Sequence, residues 1–567
     1  MKKLRWQLLV VLLALAAITF LLLNQQAPVL PGVVDQPNQP TTGGVYSEAL
    51  IGSFGRLNPL LDYYNSADQA VDRLIYSGLI RFDDQGIPQG DLADSWGISQ
   101  DGKVYNFSLR SDAVWQDGQP VTSDDVIFTI DQLRDDKSPL PSDIRDFWKQ
   151  VDVKALDSKT LQFRLPEAFA PFMDYLAFGV LPKHKLANLT SEQIAQAPFN
   201  MQPVGSGPFQ FDRLIVQNGQ IQGVTLTRFD KYYGKKPFID GVTFRYYKDS
   251  AAALDAYDKG DVLGVSQVTT DVLQKAMKEP NLNLYTGRLP RLALVYLNLG
   301  NDSLPFFQDA SIRRALLMGI NRQWIVDRLL GSQAIVADGP IFPGTWAYYE
   351  GIEHLDYDPD AAISILKKAG YTIPAQGGNV RAKEDTAMKF DLVYPDQGAF
   401  PDIAKEIQKN WKELGVEVSL KGVAYSDLVK NYLEPRTYEA ALVDLNFSRS
   451  PDPDPYPFWH QTQITGGQNY AKWDDRQASE YLEQARITTD LGERAKRYRN
   501  FQVRFTNEMP ALPLYYPVYT YGVDAQVKGV RMGPLFDPSD RFSTITAWYF
   551  QEQRATQVPQ TTATATP

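Results

Sequence analysis

Three histidines, His184, His354 and His460, carry all the imidazole in the 567-residue chain, and they lie far apart in sequence. No HExxH run, paired-His spacing or His/Asp/Glu cluster presents a metal-ligand pattern, so no metal site is nominated. Cysteine is absent, which removes disulfides, thiolate zinc sites, iron–sulfur clusters and cysteine nucleophiles together. Ser206 stands between glycines in Gly205-Ser206-Gly207-Pro208. A nucleophile elbow needs G-x-S-x-G running into a helix, however, and Pro208-Phe209 does not supply that. The carboxylate pairs Asp83-Asp84 and Asp124-Asp125 are adjacent residues, whose side chains diverge on a helix or strand. They read as caps and solvated charges, not as a glycosidase pair. No GxxxxGK[ST] phosphate loop occurs, so the chain is not itself an ATP-driven motor. No residue is nominated as catalytic, the chain is not expected to be an enzyme, and no cofactor is called for.

What remains is recognition. The chain holds 30 Tyr, 28 Phe and 10 Trp, flat rings that fill cores or line binding sites at small rotamer cost. The formal net charge is −10 with no long basic block, so nucleic acid is excluded as a partner. At this length at least two lobes are expected.

The elements that must position a site follow from local patterns. Tyr105, Phe107 and Leu109 alternate with polar residues and predict a half-buried strand, bounded by turns at Asp101-Gly102 and Asp117-Gly118. Thr122 predicts a helix N-cap with Asp125 near the positive end, and Ile127, Ile130 and Leu133 on the buried face. In the second half, Asp358-Pro359 opens a helix that Gly370 follows. A strand at 390–394 precedes a helix from Pro401 with Ile403, Ile407, Trp411 and Leu414 on one face and Gly415 closing it. A strand at 416–420, a helix capped by Ser426 and a strand at 438–445 follow. Strand–helix–strand order predicts parallel pairing, with ligands at the carboxyl ends of the strands. That places the exit segment 445–449 near a cleft.

The ends differ from the body. Lys2, Lys3 and Arg5 precede an apolar run from Leu8 to Leu23, which predicts an uncleaved signal anchor over 1–23, or else a cleaved signal. Either places the rest of the chain outside the cytoplasm, anchored at the cell membrane or released from it. Pro28, Pro31, Pro37 and Pro40 mark a spacer over 24–43, and residues 551–567 are a Thr-rich tail without core-forming composition. The expected folded body is 44–550.

Within that body, Leu92-Ala93-Asp94-Ser95-Trp96, the run Asp101 to Arg110, and the run Asp117 to Val126 resemble the family 5 extracellular solute-binding proteins, the oligopeptide- and dipeptide-binding receptors of ABC importers and their relatives. Pro203-Val204-Gly205-Ser206-Gly207-Pro208-Phe209, Arg313-Arg314-Ala315, Ile320-Asn321-Arg322, Tyr357-Asp358-Pro359 and Pro510-Ala511-Leu512-Pro513-Leu514-Tyr515 continue the likeness in order. The resemblance implies an α/β, two-lobed periplasmic-binding-protein type II fold with three subdomains and a hinged cleft. One lobe would be 44–289 with 514–550, the other 290–513, hinged near 288–292 and 512–517. It also implies a small-molecule or short-peptide ligand, an ABC permease complex as partner, and a chain working as a monomer. Sugars, opines, haem and metal chelates are the alternative solutes, and a sensor or scaffold that keeps the fold without transport is the alternative function. Expected ligand contacts are Phe54 in an early loop, Phe342 and Trp346 after Gly339-Pro340, Asn446, Phe447 and Arg449 at the strand exit, and Tyr516 and Tyr519 in the returning segment. Counting back from Asp452-Pro453, Arg449 falls where peptide-binding relatives carry an amine-pairing aspartate. That substitution implies a cleft that disfavours a free ammonium group.

Overall fold

The computed structural model describes residues 40–551. The expected anchor at 1–23, most of the spacer and nearly all of the tail lie outside the described residues. Among the described residues no helix is long and apolar enough to cross a membrane.

Alternation at 104–109 becomes the strand Val104–Leu109, whose Tyr105, Phe107 and Leu109 are buried. It sits in a four-stranded antiparallel sheet between Ala93–Ile98 and Thr160–Arg164, with Asp152–Ala155 on the outside. Asp101-Gly102 turns with Gly102 at φ +68°, a conformation that only glycine enters freely. Thr122 is the N-cap of the helix Ser123–Leu133. The Asp125 carboxylate accepts the Thr122 N–H at 2.8 Å and the Lys183 N–H at 2.8 Å. The predicted helix-end carboxylate therefore also fixes a distant segment.

The βαβ reading of the second half matches the topology. Lys389–Pro395 pairs parallel with Glu417–Val423 and with Ala440–Asn446, and the helix Phe400–Glu413 makes the first crossover. Ile403, Ile407, Trp411 and Leu414 are all fully buried. One detail differs: the helical turn after Glu417–Val423 starts at Tyr425, with Ala424 rather than Ser426 at the N-cap. No side chain caps it; it runs straight into the turn Leu428–Leu433, anchored by buried Leu428 and Leu433.

Two large core regions result. The first gathers Tyr46, Trp115, Trp148, Phe163 and Phe244 with Tyr521 and Trp548 from the C-terminal segment, and a smaller cluster around Leu254, Val265 and Leu273 adjoins it. The second lies on both faces of the sheet containing Arg291–Leu297. Ala293, Val295 and Leu297 enter one cluster, Leu292, Leu294 and Tyr296 the other. A strand buried on both faces reads as a continuous apolar run.

The chain passes between these regions at 289–290 and again along the long strand Ala511–Asp524. Residues 511–515 of that strand pair with Arg291–Leu297, and 518–524 pair with Leu282–Arg288. Where it enters the first region, Tyr521 donates to buried Glu48 at 2.7 Å, and Arg541 pairs with the other Glu48 oxygen at 2.6 Å. The C-terminal segment is thereby fastened to the strand Val45–Ile51.

Candidate functional site

A cavity of about 450 Å³ lies where the two core regions face each other. This is the ordinary size range of a small-molecule site. The first region contributes the loop and helix at 59–82, the helix Ser142–Gln150, the segment 169–179 and the C-terminal residues 536–540. The second contributes the strand exit 448–457 and Arg486. Rings supply the apolar wall, Tyr63, Tyr76, Trp148, Phe169, Tyr175 and Phe536 among them.

The strand Ala440–Asn446 delivers its exit loop into this space, as the βαβ order requires. Arg449 has φ +66°, rare for a residue with a side chain. Its N–H donates to the Phe536 carbonyl at 2.9 Å. Its guanidinium lies 4.3 Å from the Tyr63 ring centroid and donates to the Tyr63 carbonyl at 3.2 Å. It also stands 3.9 Å from Asp62 and 3.7 Å from Asp537. Arg449 thus reaches across the cavity onto the opposite wall. A few residues on, the buried Arg494 guanidinium clamps Asp452 through bonds of 2.5 and 2.9 Å. Burial is the largest single influence and would lower the Arg494 pKa, but the charge of Asp452, the Tyr498 phenol, the hydrogen bonds to Asp452 and the charge of Asp454 together outweigh it, and the net shift is upward. The Asp452 N–H points back across the cavity to both oxygens of Asp174, at 3.1 Å each.

The lining is acidic: eight aspartates stand against four arginines among the described residues. Asp540 pairs with Arg73 at 3.3 Å and Asp454 with Arg486 at 2.7 Å. Asp72 is 3% exposed, and among the described residues neither of its oxygens accepts a hydrogen bond. Burial, reinforced by the charges of Asp62 and Asp68, raises its pKa well above the usual carboxylate range. Burial also raises Asp62, to about 8, with Arg449 opposing and Asp537 and Asp68 adding to the shift. Asp174 is pushed up by burial and by Asp452. Among the described residues no group of three His, Cys, Asp or Glu is arranged to hold a metal ion.

Of the eight residues expected at the site, Arg449 lines the cavity. Phe342 is buried against Phe447 and Tyr516, at ring distances of 5.1 and 5.3 Å. These rings meet edge to face, and the Arg288 guanidinium lies 4.7 Å from the Phe342 ring centroid. Tyr516 donates to the Gly339 carbonyl at 2.6 Å, and Tyr519 donates to the Ser266 carbonyl. Both hydroxyls are spent inside the fold. Asn446 is exposed, its side chain accepting the Ser448 N–H at 3.0 Å. Trp346 lies under Arg494, 5.0 Å from ring centroid to guanidinium, while its N–H donates to the Gln85 carbonyl of the first region at 3.1 Å. Phe54 packs near Tyr246. The arginine expected to repel an ammonium group has its charge directed at Asp62 and Asp537, in a cavity whose lining is net negative.

Sequence reasoning passed over Asp62, Asp72 and Asp174. A signal existed for one of them. Asp68, Val71, Asp72 and Ile75 share the i, i+3, i+4, i+7 face of the helix Ser66–Ile75, so that helix carries carboxylates on its buried stripe.

Residues 88–469 match the model of the bacterial extracellular solute-binding proteins, family 5. An oligopeptide-binding protein of Bacillus subtilis is 28% identical over 510 residues, covering 88% of this chain and 91% of its own length. A dipeptide-binding protein of Escherichia coli is 24% identical over 505 residues, covering 85% and 91%. Among solved structures, HbpA2 from Haemophilus parasuis superposes with a TM-score of 0.79 at 20% identity, covering 90% of this chain and all of the other.

Proposed function

The chain belongs to the family 5 bacterial extracellular solute-binding proteins, and from that premise we propose that it captures a short peptide or peptide-like solute outside the cytoplasm and presents it to an ABC permease complex. The fold is the two-lobed α/β type of periplasmic binding proteins, with three subdomains and a hinged cleft; members of the family are binding proteins and not enzymes. The single observation that carries the reading is the cavity itself, walled by both core regions and bridged by Arg449 and Asp452. A site divided between two bodies is built by bringing them together, and a hinged receptor works by that motion. Separate cores support two lobes hinged at the two chain crossings, 44–289 with the C-terminal segment and 290–513, with the second boundary moved past Tyr516 because Leu514, Tyr515 and Tyr516 pack in the second core. In this reading the chain is a monomer that performs no catalysis, and residues 1–23 tether it to the membrane with the body facing outward.

The test is native mass spectrometry of the freshly purified protein, followed by thermal unfolding with the recovered solute and with di- to pentapeptides. A solute that binds only the native state stabilises it by about 2.7 kcal/mol at a hundredfold excess over Kd. The expected result is a raised midpoint with a peptide recovered unchanged. Cleavage of the peptide, or no shift with any peptide, would remove the reading.

A further inference from the structure

The cavity holds a polar group that the fold leaves unanswered. Asp72 is 3% exposed and lines the cavity wall, yet among the described residues neither carboxylate oxygen accepts a hydrogen bond. Asp62, 8% exposed, lies beside it, and its nearest cation is Arg449 at 3.9 Å, beyond hydrogen-bonding distance. Two nearby carboxylates, Asp68 on the same helix behind the wall and Asp540 in the wall itself, have partners. Asp68 accepts N–H groups from Gly55 and Arg56 at 3.0 and 2.8 Å, and Asp540 has Arg73. A buried carboxylate left without a donor is destabilising by several kcal/mol unless it is protonated or paired. Neutral in the empty protein and charged when a cation arrives, such a group is poised for ligand.

We propose that Asp62 and Asp72 form a cation subsite on the first lobe, taking a primary ammonium or guanidinium group of the bound solute. The proposal rests on the receptor reading above and adds a chemical class to it: the solute carries an organic cation. A metal ion is disfavoured because, among the described residues, no third His, Cys, Asp or Glu is arranged with the two carboxylates to hold one. Arg449 fits the same logic. Its guanidinium stands at the mouth of the subsite between Asp62 and Asp537, where it offsets part of the acidic field without reaching Asp72. On binding, the cation displaces one proton from the pair. The charged groups facing the pair are Asp68, Arg449 and Asp537, with the Tyr76 phenol beside Asp72 raised by burial and by the same two carboxylates.

Calorimetric titration of the full chain at pH 7 tests this, using N-acetyl-Ala-Lys-Ala amide, its neutral counterpart with norleucine in place of lysine, and agmatine. The cationic peptide should bind at least about tenfold more tightly than the neutral one, the worth of one charged hydrogen-bonded contact. Its enthalpy should differ between Tris and phosphate buffers, reporting release of up to about one proton. Asp72→Asn should abolish both the preference and the proton release. If Asp72→Asn fails to fold, Asp62→Asn is measured in its place. Agmatine binding that Asp72→Asn abolishes, with neither peptide bound, supports the subsite and removes the peptide reading. Equal affinity for the two peptides, or a cationic preference that persists in Asp72→Asn, overturns the subsite and leaves the receptor reading standing. No binding of any probe overturns both.

Discussion

Replacing Arg449 with alanine should open the empty protein. The side chain makes one cation–π contact with Tyr63 at 4.3 Å, worth about 1 kcal/mol. Its hydrogen bond to the Tyr63 carbonyl at 3.2 Å adds roughly 1 kcal/mol. The two carboxylate approaches at 3.9 and 3.7 Å are long and the guanidinium is one-third exposed, so together they contribute about 0.5 kcal/mol. All of these contacts bridge the two lobes. Their loss removes about 2–3 kcal/mol from closure, a shift of roughly 30- to 150-fold in the closed-to-open ratio. Absence of cysteine makes the measurement direct. Lys154→Cys and Lys405→Cys, exposed positions on the two lobes, give unique spin-label sites for pulsed distance spectroscopy. Arg449→Ala should broaden and lengthen the interlobe distance without ligand, and Arg449→Lys should fall between the two, since it keeps charge but loses the planar stack. Arg449→Gly should open the protein as alanine does, yet unfold at a higher temperature than alanine, because φ +66° costs a residue with a Cβ about 1 kcal/mol. Identical distance distributions for wild type and Arg449→Ala would show that Arg449 does not hold the lobes together.

Stability should fall as pH rises through the neutral range. Asp62 titrates at about 8 in the fold and near 3.9 unfolded. Between these values the folded chain holds a proton that the unfolded chain has lost, so the Asp62 contribution to stability declines with pH on the order of 1 kcal/mol per unit and is gone above about pH 8. Thermal midpoints at pH 5.5 and 7.5 should show a fall, and the Asp62→Asn/Asp72→Asn double variant should flatten it; an equal slope in both would assign the effect elsewhere. Glu48→Gln strands the buried Arg541 guanidinium, a loss of about 3–5 kcal/mol, whereas Glu48→Gln with Arg541→Met should be milder than Glu48→Gln alone; urea unfolding reads both. Asp452→Asn weakens the bidentate clamp from Arg494 that sets the 448–457 loop, so peptide affinity should drop at least about tenfold with a smaller change in unfolding midpoint. Unchanged affinity would detach that loop from the site.

Local patterns in the sequence determined the elements. Strict alternation gives Val104–Leu109, one apolar stripe gives Phe400–Glu413, and strand–helix–strand order gives the parallel units. That order also aims the exit of Ala440–Asn446 at a cleft and so points to Arg449. Each of these depends on neighbours within a few turns, which is the range over which periodicity carries information. The identities of the cavity walls lay beyond that range. Phe342, Phe447 and Tyr516 have the composition of a binding surface but pack edge to face into a core, because a ring gains as much by burial against another ring as against a ligand. Asp62 and Asp72 come from one end of the body, Asp174 from a second segment, Asp452 from a third and Asp537 from the returning C-terminus. Only packing of both cores brings them to one space. Whether a given aspartate is solvated, paired or left waiting is fixed by desolvation and by charges hundreds of residues away in sequence, so the electrostatic character of the site belongs to the tertiary structure.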